Sequence, residues 1–279
     1  MQPTEATPSV NALLESPAYR KAYEDVPFLH RDELRSVRLQ LELIKPELLQ
    51  REANIQSTVV VFGSARTPDP ETAQAEWDAA RKALDARPDC ADARKALRRA
   101  EIRKSHARYY DAARAFARIV SSVCQNDHRC DYVVVTGGGP GIMEAANRGA
   151  HDVGAKSIGL NITLPHEQRP NPYITPSLCF NFHYFAIRKL HFLMRARALV
   201  VFPGGFGTLD ELFETLTLVQ TGKSPRIPII MYARDYWDRV LSLETLAEEG
   251  MIDDADLELF RYAESPEEAW KLIAETNGL

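Results

Sequence analysis

Two glycine-rich turns constrain this chain more than any other feature. One reads Thr136-Gly137-Gly138-Gly139-Pro140-Gly141-Ile142-Met143-Glu144, the other Phe202-Pro203-Gly204-Gly205-Phe206-Gly207-Thr208. Each follows a short apolar run, Tyr132–Thr136 or Ala198–Phe202, and each opens an amphipathic stretch, Ile142–Val153 or Leu209–Thr221. Strand, glycine turn, helix is the repeating unit of a parallel sheet. Glycine lets the backbone approach a ligand closely, and the free N–H groups at the following helix start favour an anion. A lone turn of this kind is as readily a tight connection with no ligand. A third turn, Gly63-Ser64 after the apolar run Ser57–Phe62, makes a binding cleft the better reading. Neither long turn is a G-x-x-x-x-G-K-[ST] loop, and no G-x-G-x-x-G is followed by an acidic residue at the usual distance. ATP hydrolysis and nicotinamide redox chemistry are therefore disfavoured.

The rest of the chain continues the alternation. Expected strands at Lys156–Leu160, Leu178–Phe182 and Ile227–Met231 are separated by helices at Phe185–Arg197 and Leu209–Thr221, with a polar loop over Pro165–Pro176. Helices at Tyr236–Glu248 and Pro266–Thr276 flank a short run near Leu257–Tyr262, and a helix at Tyr109–Val123 precedes the first glycine turn. This predicts an α/β fold: a Rossmann-like, doubly wound parallel sheet with helices on both faces over 57–279. Pro68–His106 is rich in Ala, Arg, Lys and Glu and reads as a helical insertion over about 70–105, two helices around Pro88-Asp89. Asp78–Leu84 and Asp92–Leu97 look alike, but helix-forming composition explains this better than a repeat. Residues 1–56 form an N-terminal arm and helix. Leu34, Val37, Leu41, Ile44 and Leu48 fall on one helix face, with a break or kink expected at Pro46.

Of 279 residues, 45% are hydrophobic, and the net charge is -5, which argues against a general nucleic-acid partner. No apolar run approaches the ~20 residues of a membrane helix, and Met1–Val10 lacks a signal-peptide pattern. Four cysteines without a C-x-x-C pair predict free thiols in a reducing cytoplasm. Cys124, His128 and Cys130 are close in sequence, but their spacing is wrong for a zinc knuckle.

At this point the residues resemble a known family. Pro203-Gly204-Gly205-Phe206-Gly207-Thr208-Leu209-Asp210-Glu211 matches P-G-G-x-G-T-x-x-E, the signature of the LOG (Lonely guy) phosphoribohydrolases. The pair Arg188-Lys189 stands fifteen residues before that proline, as in the family's second signature, and the other two glycine turns fall in the expected order. The resemblance runs from about Ser57 to Met231, apart from the Ala/Arg-rich insertion. It implies hydrolysis of the N-glycosidic bond of nucleoside 5′-monophosphates, AMP or cytokinin riboside 5′-monophosphate, to free base and ribose 5-phosphate, without cofactor or metal. It also implies a homodimer or larger homo-oligomer with active sites close to the interface. An old lysine decarboxylase label attaches to some relatives, but no pyridoxal-phosphate signature is present here. Phe192 stands where the short plant-like form usually has Met, and Arg197 where that form has a small or acidic residue before the strand. Leu164–Tyr173 and Gly141–Asn147 look like the longer bacterial form.

Candidate residues carry two readings each. Thr208-Leu209-Asp210-Glu211 is a T-x-x-E capping box by pattern, while the resemblance places the catalytic glutamate at Glu211. A carboxylate there would stabilise an oxocarbenium-like sugar or accept a proton from water, and a helix N-terminus would favour its ionised form. Arg188 reads as a solvated helix charge or, from the resemblance, as the catalytic ligand of phosphate or sugar. Lys189 is assigned to substrate binding with less weight. Glu214, one turn past Glu211, holds Arg188 or a ribose hydroxyl, or is an exposed acid. Thr208 and the amides of Gly204, Gly205 and Gly207 would cradle phosphate, with Gly63, Ser64, Gly138 and Gly139 completing the pocket. Glu144 recognises a ring or merely begins a helix. His183 and His191 read as packing. The competing functional readings are a non-hydrolytic carrier, such as the related molybdenum-cofactor carriers, and a nucleotide-sensing module using the hairpin as a partner surface.

Overall fold

The computed structural model describes residues 9–125, 130–163 and 169–279. The chain divides into two compact units, Met1–Lys45 and Pro46–Leu279. In the first unit, α1 (Val10–Leu14) is capped by the Ser9 hydroxyl and α2 (Val26–Leu29) by the Asp25 carboxylate. The Arg38 guanidinium donates to the carbonyls of Leu29 and Arg31 at 2.7 and 2.6 Å, tying the preceding turn to the next helix. That helix, α3 (Arg35–Glu52), begins in the first unit and ends in the second. Of the break or kink expected at Pro46, the break does not occur: the helix runs through it. Proline removes its own N–H and crowds the carbonyl four residues back, yet the other turns of this 18-residue helix hold around a buried Pro46.

The second unit is built on seven strands. They are β1 (Thr58–Phe62), β2 (Val133–Thr136), β3 (Ser157–Ile162), β4 (Cys179–Phe182), β5 (Ala196–Val201), β6 (Ile229–Tyr232) and β7 (Phe260–Ala263). All pairings are parallel, in the order β4-β3-β2-β1-β5-β6-β7. The helices are α4 (Pro70–Ala86), α5 (Ala91–Cys124), α6 (Ile142–Asp152), α7 (Phe185–Leu193), α8 (Phe206–Gln220), α9 (Arg234–Val240), α10 (Leu243–Glu248) and α11 (Pro266–Asn277). Strand residues alternate between two cores, as period-two side chains must. Val59 and Val61 join Phe116, Ile142 and Ile273 on one face, while Val60 and Phe62 join Phe192, Leu212 and Trp237 on the other. The sheet is thus covered on both faces, as the apolar strands predict.

Several boundaries differ from the sequence reading. The second insertion helix and the helix expected at Tyr109–Val123 are one 34-residue helix, α5. Nothing between them breaks a helix, and Ala93, Leu97, Ala100 and Ala107 continue the buried stripe into Tyr110 and Ala113. A bidentate Arg103–Glu76 pair, at 2.7 and 3.0 Å, fastens α5 to α4. The helix expected over Tyr236–Glu248 is divided into α9 and α10. The helix expected to reach Arg197 stops at Leu193. Arg197 instead lies inside β5, exposed at a bulge where Thr58 pairs with Ala196 and Val59 with Ala198.

The strand order sets the position of the site. The chain lays β1 to β4 outward in one direction, then crosses back to place β5 on the other side of β1. Ligands in such sheets sit beyond the carboxyl ends of strands at this reversal. The three glycine turns follow β2, β1 and β5, three adjacent strands. Among the described residues no helix is long and apolar enough to cross a membrane.

Candidate functional site

Ser64 joins the three turns. Its N–H donates to the Pro203 carbonyl at 3.1 Å, and its own carbonyl accepts from Ile142 N–H at 3.1 Å, where α6 begins. Gly63 lies against Ile142 itself, with no room for a side chain between them. The first turn is held by a buried polar network. Gly138 N–H donates to the Thr136 hydroxyl (3.0 Å), which donates to Asn147 Oδ1 (2.7 Å). The Asn171 amide donates to the carbonyls of Gly138 (3.2 Å) and Gly139 (3.0 Å) and to Asn147 Oδ1 (2.9 Å). Gly138 has φ +75°, and a Cβ there would meet Asn161 Oδ1 at 2.3 Å, so only glycine fits. Asn147 and Asn171 occur in stretches singled out in the sequence, but their role depends on long-range contacts. Replacing Asn171 with Ala strips both glycine carbonyls of their side-chain donor. The expected cost is about 1–3 kcal/mol, read as a melting temperature several degrees lower. An unchanged melting temperature would show that the turn does not depend on this network.

The second turn differs from its expected geometry. Helix α8 begins at Phe206 with Gly205 as N-cap, so Thr208 is its third residue and Glu211 its sixth. The Thr208–Glu211 capping box therefore does not form, and no side chain caps the helix. The flexible Gly205 lets the helix start earlier than a Thr cap would. The first N–H groups of a helix have no intrahelical acceptor. Here they belong to Phe206, Gly207 and Thr208, with Gly205, Phe206 and Gly207 exposed and Thr208 buried. The Tyr236 hydroxyl donates to the Gly204 carbonyl at 2.7 Å and fixes the turn from behind. A Cβ on Gly204 would stand 2.1 Å from the Thr208 hydroxyl.

Arg188 and Glu211 meet beneath these turns. Arg188 Nε donates to the Leu160 carbonyl at the end of β3 (2.7 Å), and Nη1 stands 3.9 Å from Glu211 Oε1. Their side chains are 12% and 9% exposed. The guanidinium lies over the buried Phe192 ring (5.0 Å) and against Gly137 of the first turn. Phe192 thus supports the arginine. Burial pushes the Glu211 carboxyl up to about 7, against the opposing charges of Lys189 and Arg188. The ionised form expected from the helix N-terminus is not favoured, because Glu211 sits in the second turn and desolvation outweighs the dipole. Burial likewise lowers the Arg188 pKa, opposed by Glu211.

Neighbouring charges pair differently from the sequence reading. Lys189 Nζ is clamped by Asp210 (2.8 Å) and Glu214 (3.0 Å), so Glu214 holds Lys189 rather than Arg188. Glu144, in the first turn of α6, accepts from the Tyr110 hydroxyl at 2.9 Å. Tyr110 comes from the middle of α5, where no sequence motif marks it. His191 is buried against Phe182, and His183 packs on Tyr184. An open cleft of about 470 Å³ runs along the outer side of α8, lined by Phe206, Leu209, Phe213 and Thr217 with Asp210 and Glu214. It does not include Arg188 or Glu211. Among the described residues no cluster of three His, Cys, Asp or Glu side chains is placed to hold a metal ion. Cys124 is half-buried and its thiol is pushed up to about 11 by burial; Cys130 is buried, and His128 lies outside the described residues.

Comparison with known proteins adds a family context to this geometry. A family model described as "Possible lysine decarboxylase" matches residues 143–273. The chain is 28% identical over 146 residues to a probable cytokinin riboside 5′-monophosphate phosphoribohydrolase, LOG4, of Oryza sativa subsp. japonica, covering 51% of this chain and 62% of that one. It is 27% identical over 146 residues to LOG3 of Arabidopsis thaliana, a cytokinin riboside 5′-monophosphate phosphoribohydrolase, covering 51% and 66%. With LOG of Oryza sativa subsp. japonica, of the same description, it shares 30% identity over 123 residues, covering 43% and 50%. The chain thus spans less than two thirds of the length of these relatives. Similar solved structures include a molybdenum cofactor binding protein from the phototrophic bacterium Rippkaea orientalis (20% identity, TM-score 0.45, 61% of this chain and 88% of that one). Another is the Moco carrier protein from Chlamydomonas reinhardtii (15% identity, TM-score 0.45, 80% and 98%). With its P-G-G-x-G-T-x-x-E turn and its Arg-Lys pair, the chain is similar to the LOG phosphoribohydrolases over about half of its length.

Proposed function

We propose that this protein hydrolyses the N-glycosidic bond of nucleoside 5′-monophosphates, with adenine-type bases preferred, to free base and ribose 5-phosphate. The observation that carries this reading is the buried Arg188–Glu211 pair at the strand-order reversal, beside a helix start with exposed, uncapped amides. The amides of Phe206, Gly207 and Thr208 receive the 5′-phosphate, aided by the helix dipole. The Arg188 fork, pinned by Leu160, orients phosphate or sugar. As the base departs with the glycosidic electron pair, positive charge develops on the sugar, and ionised Glu211 stabilises it. Water adds to the anomeric carbon and gives its proton to Glu211. Neither role requires a metal ion.

A carboxyl titrating at about 7 makes this chemistry pH-dependent. The carboxylate is the working form, so kcat/KM rises with pH through neutrality on an acid limb governed by Glu211. Lys189 is the strongest group holding that pKa down. Lys189→Met is therefore expected to move the acid limb to higher pH, with less effect on the rate at the alkaline plateau. A pH–rate profile unchanged by the substitution would remove Glu211 as the titrating group.

Exposed Phe185 and Leu190 on α7, Met194 just beyond it and Phe206 at the start of α8 support the homo-oligomer with interfacial active sites that the resemblance implies. The activity is tested by incubating the protein with a panel of nucleoside monophosphates, including AMP and isopentenyladenosine monophosphate, and separating the products by chromatography. Free base from wild-type protein supports the reading and ranks the bases. Nucleotide bound without release of base would replace it with a carrier or sensor.

A further inference from the structure

The charges described so far do not suit an anionic ligand. Arg188 and Lys189 bring two positive charges; Asp210, Glu214 and Glu211 in its ionised working form bring three negative ones. Both cations are also committed, Arg188 to the Leu160 carbonyl and Glu211, Lys189 to Asp210 and Glu214. A phosphomonoester adds about 1.5 to 2 further negative charges at neutral pH. The N-terminus of α8 offsets only about half of one charge. A phosphate can hydrogen-bond to the exposed amides, but its charge calls for a cation not already spent within the chain.

Arg66 supplies one. It follows β1, the central strand at the reversal, in the turn Gly63-Ser64-Ala65-Arg66. That turn is fixed from several sides. Ser64 is bonded to Pro203 of the second glycine turn through its N–H and to Ile142 of α6 through its carbonyl, each at 3.1 Å. Ala65 lies against Gly141, where a Cβ would stand 3.0 Å from the Ala65 Cα. The Arg66 N–H donates to the Ser64 hydroxyl at 3.0 Å. The side chain of Arg66, by contrast, is exposed, and among the described residues it makes no hydrogen bond or ion pair. The nearest acid in sequence, Asp69, is turned into the start of α4. Its carboxylate accepts from the amides of Glu71 and Thr72, each at 3.0 Å, and from the Thr72 hydroxyl at 2.6 Å. An exposed arginine is ordinarily just a solvated charge. This one has a pinned backbone and an unspent guanidinium where the three glycine turns meet.

We infer that Arg66 is a phosphate-binding residue of this site. Its guanidinium shares the 5′-phosphate with the α8 amides and makes the site select phosphomonoesters over uncharged nucleosides. This deepens the function proposed above and rests on its reading of the α8 start as the phosphate cradle, but not on bond cleavage.

The test is titration calorimetry of the full chain with ribose 5-phosphate, AMP and adenosine, for wild type, Arg66→Ala and Arg66→Lys, alongside steady-state kinetics on AMP. Arg66→Ala is expected to weaken ribose 5-phosphate and AMP binding about tenfold or more. Adenosine binding should be unchanged, and the salt dependence of AMP binding should flatten. KM for AMP should rise while kcat holds, the pattern of lost uniform binding. Arg66→Lys keeps the charge and should recover most of the affinity. The melting temperature should stay the same in both variants, since the side chain has no partner to lose. Wild-type affinity for ribose 5-phosphate in the Ala variant overturns the inference. An equal loss of adenosine affinity overturns it too, making the residue a support of the turn, as does a wild-type chain that binds neither phosphate. Phosphate binding that depends on Arg66, without release of base from AMP, upholds the inference and ends the proposed hydrolysis instead.

Discussion

Glu211→Gln is expected to lower turnover of nucleoside monophosphates by about 10²–10⁴-fold, the usual range for a positioned acid–base group. The substitution preserves shape and removes only the charge and the proton-accepting capacity. The Glu211 side chain is 9% exposed, so its environment is set by the protein rather than by bulk solvent. A carboxyl titrating at about 7 is already protonated in much of the wild-type population at neutral pH, so the neutral amide is a tolerable occupant. Nucleotide binding should therefore survive while base release does not, and the residual rate should lose its acid limb.

Stability supplies an independent check on the same residue. A carboxyl raised from 4.5 to about 7 binds its proton more tightly in the folded chain than in the unfolded one. The stability this confers is complete below pH ~4.5 and is lost as pH rises through ~7. The Gln variant lacks that dependence. Its stability relative to wild type should therefore increase between pH 5 and pH 8, by on the order of 1–3 kcal/mol, measured by denaturant titration at both pH values. A variant with full turnover would end the catalytic assignment, and a pH-independent stability difference would end the assignment of the titration.

Arg188→Ala is the second large effect, expected to reduce kcat/KM by about 10²–10³-fold, as the loss of a positioned electrostatic group does. The guanidinium joins four elements of the site: the Leu160 carbonyl, the Phe192 ring, Gly137 of the first turn and the Glu211 carboxylate. Its removal leaves a buried carbonyl without its side-chain donor and Glu211 without a charge that holds its pKa down, so the acid limb should also move to higher pH. Arg188→Lys should not restore activity. A lysine ammonium cannot donate to Leu160 through an Nε while presenting a planar fork to Glu211 and substrate. Steady-state kinetics of the Ala and Lys variants across pH 6–9 decide the matter, and wild-type turnover in the Ala variant would refute the role.

Local pattern was enough for the strand–turn–helix units. Apolar β-branched runs such as Thr58–Phe62 and Val133–Thr136 and the glycines after them are contiguous in sequence, and their physics is contiguous too. The Arg188 and Glu211 positions were legible for the same reason, as motif residues at fixed spacing. Boundaries set by competition were less legible. Helix α5 fuses two expected helices because its buried stripe never breaks, and α8 starts at Phe206 because Gly205 caps without a side chain. That shift of start dissolved the apparent capping box and moved Glu211 into the second turn.

What only the tertiary structure decided was electrostatic and long-range. Sequence spacing on α8 cannot reveal that Glu214 and Asp210 hold Lys189 from α7, or that Asn171 reaches across to the glycine turn after β2. The Glu211 pKa depends on how much water the fold removes around it, and that follows from how α7 and α8 pack on the sheet. The sequence by itself determined the units, their order and the residue types at the strand ends, because these depend on neighbours along the chain. Strand order, ion-pair partners and the protonation of Glu211 depend on neighbours through space, where burial changes the energy of a charge more than any adjacent residue does.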